Sequence, residues 1–424
     1  MPLEFDGVNS KVSADKIQGQ TGTTVTIESG HSLSGSGASL TNLPAANLTG
    51  TVAGARLPNP LPAISGAALT NLPESGEKRN YIIDGDFTQW PDGTAATTPA
   101  YGDYTSALCK HTYGNDGTHT AERSTDVPTV DASGHQSTYS QLVKCTVADG
   151  TVGSSQWLLL DYPITGTDFT ALHEQQVTIS FWAKTSAQNS GHTYSLTLSG
   201  GSGVNRWYHY NFTPTSTWTQ FTHTLTLDTG GTWLFTEADI GMSVLIYLMS
   251  PSNWHGTAET WTGPSPVVGT AGNDNFMDNT SNEFYISQLG VYKGSVAPTF
   301  SSPPISTVQD QMKYYIEYRN FDTVSAERGG PIAFGNSTTT ARMWLTYDKK
   351  RKVPTITVSN ADTWSTLNGP GAFNTATPSY ADIGNYGCRV DTFTRTGGTH
   401  TANDVFFMNR KGTDTTFIKI DARH

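Results

Sequence analysis

Residues 177–184 are Val-Thr-Ile-Ser-Phe-Trp-Ala-Lys, a run of β-branched and aromatic residues between polar, turn-prone segments. Such a run is typical of a β-strand. Working outward from it, the sequence contains seven more runs of the same kind, at residues 139–147, 156–162, 193–198, 206–213, 218–227, 242–249 and 283–292. Eight such strands predict a jelly roll or a similar β-sandwich.

The order of side chains within these runs predicts which faces are buried. Apolar or aromatic residues alternate with hydroxyl residues most clearly in two runs, at Tyr194, Leu196 and Leu198 and at Phe221, His223, Leu225 and Leu227. Successive side chains of a strand point to opposite faces of its sheet. The sequence therefore predicts a mainly β protein, in which two antiparallel sheets pack their apolar faces together and expose the other faces to water.

The composition argues against some classes of protein. Of the 424 residues 14% are charged, and the formal net charge is −11. The basic run Lys349-Lys350-Arg351-Lys352 is short, and we interpret it as a solvated turn. Nucleic acid is not expected as a partner, because phosphate neutralisation needs a basic surface. The length allows about three domains.

Membrane segments and disulfide bonds are not expected either. No stretch approaches the ~18 consecutive apolar residues that span a bilayer. The start, Met-Pro-Leu-Glu-Phe-Asp, lacks the basic and apolar regions of a signal peptide, so we expect synthesis in a cytoplasm. Cys109, Cys145 and Cys388 are odd in number and widely spaced. We expect them to be buried, reduced thiols.

Residues 1–77 differ in composition from the rest of the chain. They contain one aromatic residue, Phe5, and the unit Leu-Thr-Asn-Leu-Pro at residues 40–44 returns at residues 69–73. Such short units cannot bury their leucines within one chain. Either the segment is a flexible linker, or several chains form a rod. The regular return of leucine favours the rod, with an interface that includes Leu40, Leu43, Leu69 and Leu72.

Several short motifs, in this order, resemble those of tailed-bacteriophage tail fibres and receptor-binding proteins. The Leu-Thr-Asn-Leu-Pro units resemble shaft and collar repeats. Residues 79–90, Arg-Asn-Tyr-Ile-Ile-Asp-Gly-Asp-Phe-Thr-Gln-Trp, are similar to the opening of a jelly-roll domain of that family. Asp84 stands where asparagine is usual, and the Asp-Arg-Trp that normally follows is absent. Residues 177–184 match the family's central strand.

The resemblance implies three regions and a place in a virion. Residues 1–77 would form a shaft that attaches to other tail or virion proteins. Residues 78–304 would form a jelly-roll, carbohydrate-binding-like head, and residues 305–424 a receptor-binding or trimerisation domain. The protein would be a homotrimer, made in the host cytoplasm and assembled into the tail fibre. Its partner would be a bacterial surface polysaccharide or lipopolysaccharide.

The C-terminal region has the pattern of a helix followed by strands. Spacings of 4, 7 and 8 predict an amphipathic helix over residues 307–321, with a stripe made of Val308, Met312, Tyr315 and Ile316. The helix can pack on its own sheet. The resemblance favours a threefold bundle with its copies, with Met312 and Tyr315 at the interface. Further runs predict an antiparallel β-sandwich with strands at residues 341–347, 354–359, 388–395, 404–410 and 416–422.

Aromatic residues mark two candidate glycan-binding groups. Trp207 and His209 share one face of the strand at residues 206–213. The long polar segment 250–282 also contains four candidates: Trp254, His255, Glu259 and Trp261. Long segments without regular structure are often functional, and tryptophan beside hydrogen-bonding groups suits sugar recognition. The alternative is that the two tryptophans pin the segment onto the sheet.

Signatures of catalysis are incomplete. The sequence has no Gly-x-Ser-x-Gly elbow and no phosphate-binding glycine-rich loop, and His173-Glu174 lacks the second histidine of a zinc helix. Glycoside hydrolysis needs two carboxylates about 5–10 Å apart. Glu259, Asp274 and Asp278 are the candidates for such a pair.

A cofactor is not expected, apart from a structural calcium ion. Asp84 and Asp86 are weak candidates for its ligands, with Asp92 nearby in sequence, but their spacing fails the EF-hand pattern. The alternative is that they bind the amide groups of a turn.

The sequence therefore predicts a non-catalytic phage tail fibre protein that recognises a bacterial surface glycan and mediates host adsorption. Two alternatives from other classes stay open: a polysaccharide-depolymerising tailspike, and a structural virion fibre or head decoration protein.

Overall fold

The computed structural model describes residues 78–95, 97–263, 265, 267–320, 332–338, 340–358, 364–366, 372–373, 379–394, 405–410 and 417–423. All of them belong to one compact unit, which begins at Asn71. The predicted shaft, with Leu40, Leu43, Leu69 and Leu72, lies outside the described residues.

Ten strands form the first part of this unit. They are β1 (Lys110–Gly114), β2 (Thr118–Ser124), β3 (Ser140–Val147), β4 (Trp157–Thr165), β5 (Gln176–Thr185), β6 (Tyr194–Gly200), β7 (Trp207–Phe212), β8 (Thr219–Thr226), β9 (Ile240–Met249) and β10 (Glu283–Lys293). Strands β3 to β10 are the eight predicted ones, which are confirmed. Strands β1 and β2 were not predicted, because their sequences, Lys-His-Thr-Tyr-Gly and Thr-His-Thr-Ala-Glu-Arg-Ser, contain few β-branched or aromatic residues.

The ten strands form two antiparallel sheets in a jelly-roll arrangement. The strand orders are β1-β4-β9-β6-β7 and β2-β3-β10-β5-β8. Consecutive strands from β3 to β10 are distributed between the two sheets as in two interlocked Greek keys. Strands β1 and β2 extend one edge of each sheet, and β7 and β8 form the opposite edges.

The core lies between the two sheets. In β5, Val177, Ile179, Phe181 and Ala183 are at most 1% exposed. The residues between them are buried as well, so this strand does not expose its other face to water as predicted. Strand β5 pairs with β10 on one side and β8 on the other. Replacing a ring as deeply buried as that of Phe181 by alanine would cost roughly 3–5 kcal/mol.

The C-terminal helix is shorter than predicted. Helix α3 covers Ile305–Lys313, and strand β11 begins at Ile316. Two further helices, α1 (Val130–Ser133) and α2 (Gly166–Phe169), are single turns. The helical spacing led to a wrong end for the helix because Tyr315 and Ile316 are buried for a different reason. Tyr315 lies in the turn after the helix, and Ile316 begins strand β11, which pairs with the last strand of the chain.

The buried side chains of α3 have partners within the same chain. Val308, Met312, Tyr315 and Ile316 pack together with Ala107 and Leu108. Of the two packing modes weighed for this helix, the structure thus contains packing within one chain. A contact of Met312 and Tyr315 with other copies stays a prediction.

Two further sheets complete the fold. A three-stranded sheet has the order β11-β20-β14, and a seven-stranded sheet has the order β16-β15-β19-β12-β13-β18-β17. Their strands are β11 (Ile316–Asn320), β12 (Ile332–Gly335), β13 (Thr340–Thr346), β14 (Thr355–Val358), β15 (Trp364–Thr366), β16 (Ala372–Phe373), β17 (Ser379–Ala381), β18 (Gly387–Thr394), β19 (Val405–Arg410) and β20 (Phe417–Asp421). The two sheets share a core that includes Met343, Val390 and Ile420. The mainly β fold is therefore confirmed, with antiparallel sheets in both regions.

The basic run at residues 349–352 is not a solvated turn, so that interpretation was wrong. The side chains of Lys350 and Arg351 are buried. Lys350 Nζ donates to Glu317 Oε2 at 2.8 Å. The Arg351 guanidinium donates to the carbonyl oxygens of residues 237–239 in the segment before β9. A guanidinium has five N–H donors, so these contacts join the C-terminal region to the jelly roll.

The three cysteines are free and buried, as expected. Burial raises the pKa of Cys109 to about 12 and the pKa of Cys145 and Cys388 to about 11. They are therefore protonated at neutral pH and behave as small apolar side chains.

Candidate functional site

The segment 250–282 covers the outer face of β7, and it thereby brings the two predicted groups together. The backbone N–H of Trp207 donates to Thr262 O at 3.0 Å, and Thr262 N–H donates back to Trp207 O at 2.8 Å. The N–H of Glu259 donates to His209 O at 2.7 Å. The segment therefore binds the strand edge by its backbone.

His209 is buried beneath this segment rather than exposed for a ligand. Its Nδ1 lies 2.7 Å from Thr197 Oγ1 in a hydrogen bond. A methyl group added to Gly256 would lie 2.7 Å from its Nε2. Burial, and secondarily His255, lowers the pKa of His209 to about 4. His209 is thus neutral at pH 7 and belongs to the packing of the covered face.

The two tryptophans of the segment also pack against the protein. The ring centroid of Trp254 lies 5.9 Å from that of Trp157. Trp261 Nε1 donates to Thr226 O at 3.1 Å, and its ring lies 5.3 Å from the ring of Tyr208. His255 Nε2 is hydrogen-bonded to Ser250 Oγ at 3.1 Å. Pinning of the segment thus explains both tryptophans, and Trp261 also borders a half-buried aromatic cluster.

That cluster lies at the side of the sandwich where β7 and β8, the last strands of the two sheets, approach each other. Tyr210 of β7 and His223 of β8 are stacked, with ring centroids 4.1 Å apart and 21° between the planes. Tyr208 Oη is hydrogen-bonded to His223 Nε2 at 2.9 Å. Residues 258–262 pair with the edge of β7, and at this side of the sandwich Tyr208 is buried while the other inward-facing rings are half-buried. We call this cluster the aromatic edge: Tyr208, Tyr210, Phe221, His223 and Trp261.

Glu259 adds an acidic group beside the aromatic edge. It is exposed, has a φ of 56°, and its carboxylate has no hydrogen bond or ion pair among the described residues. Burial, with a smaller effect of Glu259, raises the pKa of Tyr208 to about 12 and also raises the pKa of Tyr210. Burial lowers the pKa of His223, and Glu259 opposes this shift. The backbone of Glu259 is held beside β7 by the hydrogen bond from its N–H to His209 O.

The aromatic edge has the chemistry of a sugar-binding surface. The partly exposed faces of Tyr210, His223 and Trp261 offer flat apolar area for the C–H face of a pyranose ring. The Glu259 carboxylate offers hydrogen-bond acceptors for its hydroxyl groups. Few, well-placed polar groups beside aromatic rings are typical of ligand sites.

The other candidate carboxylates have structural partners. Asp274 Oδ2 accepts from Thr193 N–H at 2.7 Å, and Asp278 Oδ1 accepts from Asn282 Nδ2 at 2.7 Å. Glu259 is the member of this group whose carboxylate makes no hydrogen bond within the described part of the chain.

The aspartates considered for calcium are likewise engaged by the protein. Asp84 accepts from Thr88 N–H and Gln89 N–H at 2.9 and 2.7 Å through its two oxygens, so turn capping explains it. Asp86 Oδ2 lies 3.2 Å from His135 Nε2. Within the described residues, no group of three or more His, Cys, Asp or Glu side chains is arranged to hold a metal ion.

Two of these carboxylates line a cavity of about 790 Å³ between the start of the jelly roll and α3. Burial raises the pKa of Asp84 to about 6 and raises that of Asp86. Asp84 uses both carboxylate oxygens and Asp86 uses Oδ2 in hydrogen bonds within the protein, whereas Asp86 Oδ1 is buried without a hydrogen-bond partner among the described residues. We place the candidate site at the aromatic edge instead, because aromatic rings lie beside an unpaired carboxylate there.

Sequence reasoning missed Tyr210 and His223. Alternation placed His223 in an apolar stripe, and Tyr210 lies on the face opposite to the candidates Trp207 and His209. One signal was available. His223 is the one polar ring in the apolar stripe Phe221, His223, Leu225 and Leu227. An imidazole in such a stripe indicates either a buried hydrogen bond or a position where the stripe meets solvent.

No protein-family description and no curated protein matches this sequence. Among solved structures, the enzymatically active domain of bacteriophage CBA120 tailspike protein 4 aligns at 11% identity and a TM-score of 0.25, over 43% of this chain and 19% of that chain. TmCBM61 in complex with β-1,4-galactotriose aligns at 10% identity and a TM-score of 0.26, over 51% of this chain and 99% of the other. The family 11 carbohydrate-binding module from Clostridium thermocellum aligns at 12% identity and a TM-score of 0.26, over 49% of this chain and 100% of that module.

These likenesses are too weak to carry an argument, so the site is interpreted from its own residues. Among the helices that the structure describes, none has the length and apolarity of a membrane span.

Proposed function

We propose that this chain is a receptor-binding protein of a phage tail fibre, and that it binds a bacterial surface polysaccharide or lipopolysaccharide through the aromatic edge without cleaving it. The resemblance of its short motifs to those of tail fibres supports the virion role. The leucine repeats of residues 1–77 support a homotrimer that attaches to other virion proteins through this region.

The observation that carries the glycan-binding proposal is the stacked pair of Tyr210 and His223 beside the unpaired carboxylate of Glu259. Stacking of a sugar on an aromatic ring contributes about 1–2 kcal/mol. A single site of this kind binds weakly. Three copies in a trimer, and several trimers on one virion, raise the effective concentration and hence the avidity.

A double substitution tests the site. Tyr210→Ala with His223→Ala removes both stacking faces, and we expect adsorption to host cells and binding of purified host polysaccharide to weaken at least tenfold. The matched control is Trp254→Ala, which loses packing on Trp157 but leaves the aromatic edge intact. If the double variant and Trp254→Ala bind the polysaccharide equally well, the binding site lies elsewhere. If neither variant changes adsorption to host cells, a structural virion protein is favoured.

Sedimentation tests the assembly separately. The homotrimer should have three times the chain mass of 45.6 kDa. A mass equal to that of one chain would overturn this part of the proposal without affecting the binding site.

A further inference from the structure

A second cleft lies between the jelly roll and the C-terminal strand β20. Its volume is about 430 Å³, within the range of ligand sites. Trp90 and Tyr104 line it from the jelly-roll region, and Lys419, Asp421 and Arg423 line it from the C-terminal region. None of its lining residues belongs to the aromatic edge.

A network of ion pairs fixes the C-terminal wall of this cleft. Arg423 Nη2 donates to Asp92 Oδ2 at 2.6 Å and to Asp421 Oδ2 at 2.7 Å. Lys419 Nζ donates to Asp92 Oδ1 at 2.6 Å. Burial alone would raise the pKa of Asp92, but Arg423 and the hydrogen bonds from Lys419 and Tyr318 hold it below its usual range. The wall is therefore charged and held in one arrangement.

Aromatic rings form part of the opposite wall. The guanidinium carbon of Arg423 lies 4.1 Å from the ring centroid of Tyr104. Trp90 is half-buried, and its Nε1 donates to Phe87 O at 2.8 Å, which orients the indole. The cleft thus combines fixed charges with flat apolar rings.

Several polar groups of the jelly-roll wall are still available for a ligand. The exposed hydroxyl groups of Thr97 and Thr98 make no hydrogen bond among the described residues. Asp103 uses one carboxylate oxygen to accept from Ala100 N–H at 2.7 Å, and its other oxygen makes no hydrogen bond within the same residues. Docking of the two regions explains the Arg423 network and the contact of Arg423 with Tyr104, but it does not require the threonine hydroxyls, the second oxygen of Asp103 or the Trp90 ring.

From these groups we infer that the cleft is a second sugar-binding site, which takes an uncharged or amino-bearing pyranose. The rings would contact the C–H face of the sugar, and the threonine hydroxyls and Asp103 would bond its hydroxyl groups. Three carboxylates, Asp92, Asp103 and Asp421, oppose two cations, Lys419 and Arg423. This excess of negative charge disfavours an acidic sugar.

The test uses the full chain with Tyr210→Ala and His223→Ala as background, so that sugar binding at the aromatic edge does not contribute. Saturation-transfer NMR is recorded with galactose, N-acetylglucosamine and glucosamine, and with glucuronic acid as the acidic probe. We expect transfer to at least one of the first three sugars. Adding Thr98→Trp, which fills the cleft from an exposed position, should lower this transfer about fivefold or more.

A milder variant keeps the test valid if the added tryptophan prevents folding. Thr98→Ala with Asp103→Ala removes polar groups at the surface and should also lower the transfer, whereas Gln220→Ala on exposed β8 should not. The inference is overturned if no sugar shows transfer in the background chain, if cleft variants leave the transfer unchanged, or if glucuronic acid gives the strongest signal. Failure of the aromatic edge itself would appear separately, as unchanged host adsorption in the background chain.

Discussion

The two faces of β7 differ in how far their side chains are buried, although both faces carry aromatic side chains. Trp207 and His209 share the outward face, where segment 250–282 packs over His209 and buries it. Tyr208 and Tyr210 share the inward face, where Tyr208 is buried and Tyr210 is half-buried beside His223. The outward face is therefore the covered one, and part of the inward face is accessible.

This difference follows from the position of the strand in the sheet. In a central strand, the inward face is closed off by neighbours on both sides, as in β5. β7 is the last named strand of its sheet, and residues 258–262 pair with its remaining edge. The segment thus closes the edge of β7 by backbone pairing and buries His209 on the outer face, whereas Tyr210 on the inward face stays half-buried.

The largest expected difference between the two faces concerns pH. Burial, followed by His255, lowers the pKa of His209 from an ordinary 6.5 to about 4. The folded protein thus binds this proton more weakly than the unfolded chain does. The contribution of His209 to the free energy of unfolding is therefore largest above pH 6.5. It decreases by up to about 3 kcal/mol as the pH falls towards 4.

A substitution separates this effect from those of the buried aspartates. Burial raises the pKa of Asp84 and Asp161 to about 6, so these groups stabilise the folded state as the pH falls through that range. His209→Asn keeps a polar atom next to Thr197 but does not titrate. Urea unfolding between about pH 7 and pH 4 should show a smaller loss of stability in the variant than in the natural chain. If the free energy of unfolding changes equally with pH in the variant and in the natural chain, His209 is not the group responsible.

The covered face should also be sensitive to added volume. In Gly256→Ala the new methyl group would lie 2.7 Å from His209 Nε2 and 2.8 Å from Cδ2. We expect the free energy of unfolding to fall by about 2 kcal/mol and hydrogen exchange to increase in the segment.

Gly272→Ala, in the same segment, is the control for this substitution. Its methyl group would lie 3.4 Å from Asn211 Nδ2, which is ordinary contact. Equal stability of the two variants would show that the segment is not held tightly against His209.

Binding should distinguish the two faces of the same strand directly. Tyr210→Ala removes one stacking surface of the aromatic edge, and we expect about tenfold weaker binding of host polysaccharide, close to 1.4 kcal/mol. Trp207→Ala, three residues away on the opposite face, should change the binding little. Calorimetric titration of both variants, after their melting curves establish that they are folded, measures the contrast. A larger loss in the Trp207 variant would reverse our assignment of the faces.

The sequence predicted the strands well because burial in a sandwich imposes a period of two, which is visible in residues such as those of β5 and β6. The sequence-based prediction was wrong where one apolar spacing continues from a helix into the strand that follows it. Tyr315 and Ile316 continue the helical stripe of Val308 and Met312, but they belong to the turn and strand after the helix.

The sequence also could not reveal partners that are distant in the chain. Arg351 reaches carbonyl oxygens more than a hundred residues away, and nothing in its local sequence indicates burial. For the candidate site, Trp261 and Glu259 were predicted, whereas Tyr210 and His223 depend on which strands are at the edges. Edge positions follow from strand order, and a single sequence does not determine that order.

The smallest expected effect concerns Glu259 and separates binding from catalysis. In the binding role, the carboxylate only accepts hydrogen bonds from sugar hydroxyl groups. Glu259→Gln keeps one acceptor oxygen and adds a donor, so affinity should fall only about two- to threefold. In a catalytic role, the same substitution would abolish turnover, because an amide cannot transfer the proton.

We expect the first outcome. Hydrolysis of a glycosidic bond needs a second carboxylate at a defined distance, and the other candidates, Asp274 and Asp278, already accept hydrogen bonds from Thr193 and Asn282. Incubation of purified host polysaccharide with the natural chain should therefore release no reducing ends between about pH 5 and pH 8. Release that disappears in Glu259→Gln while binding persists would make the protein a depolymerase, and the aromatic edge would then be its substrate-binding surface.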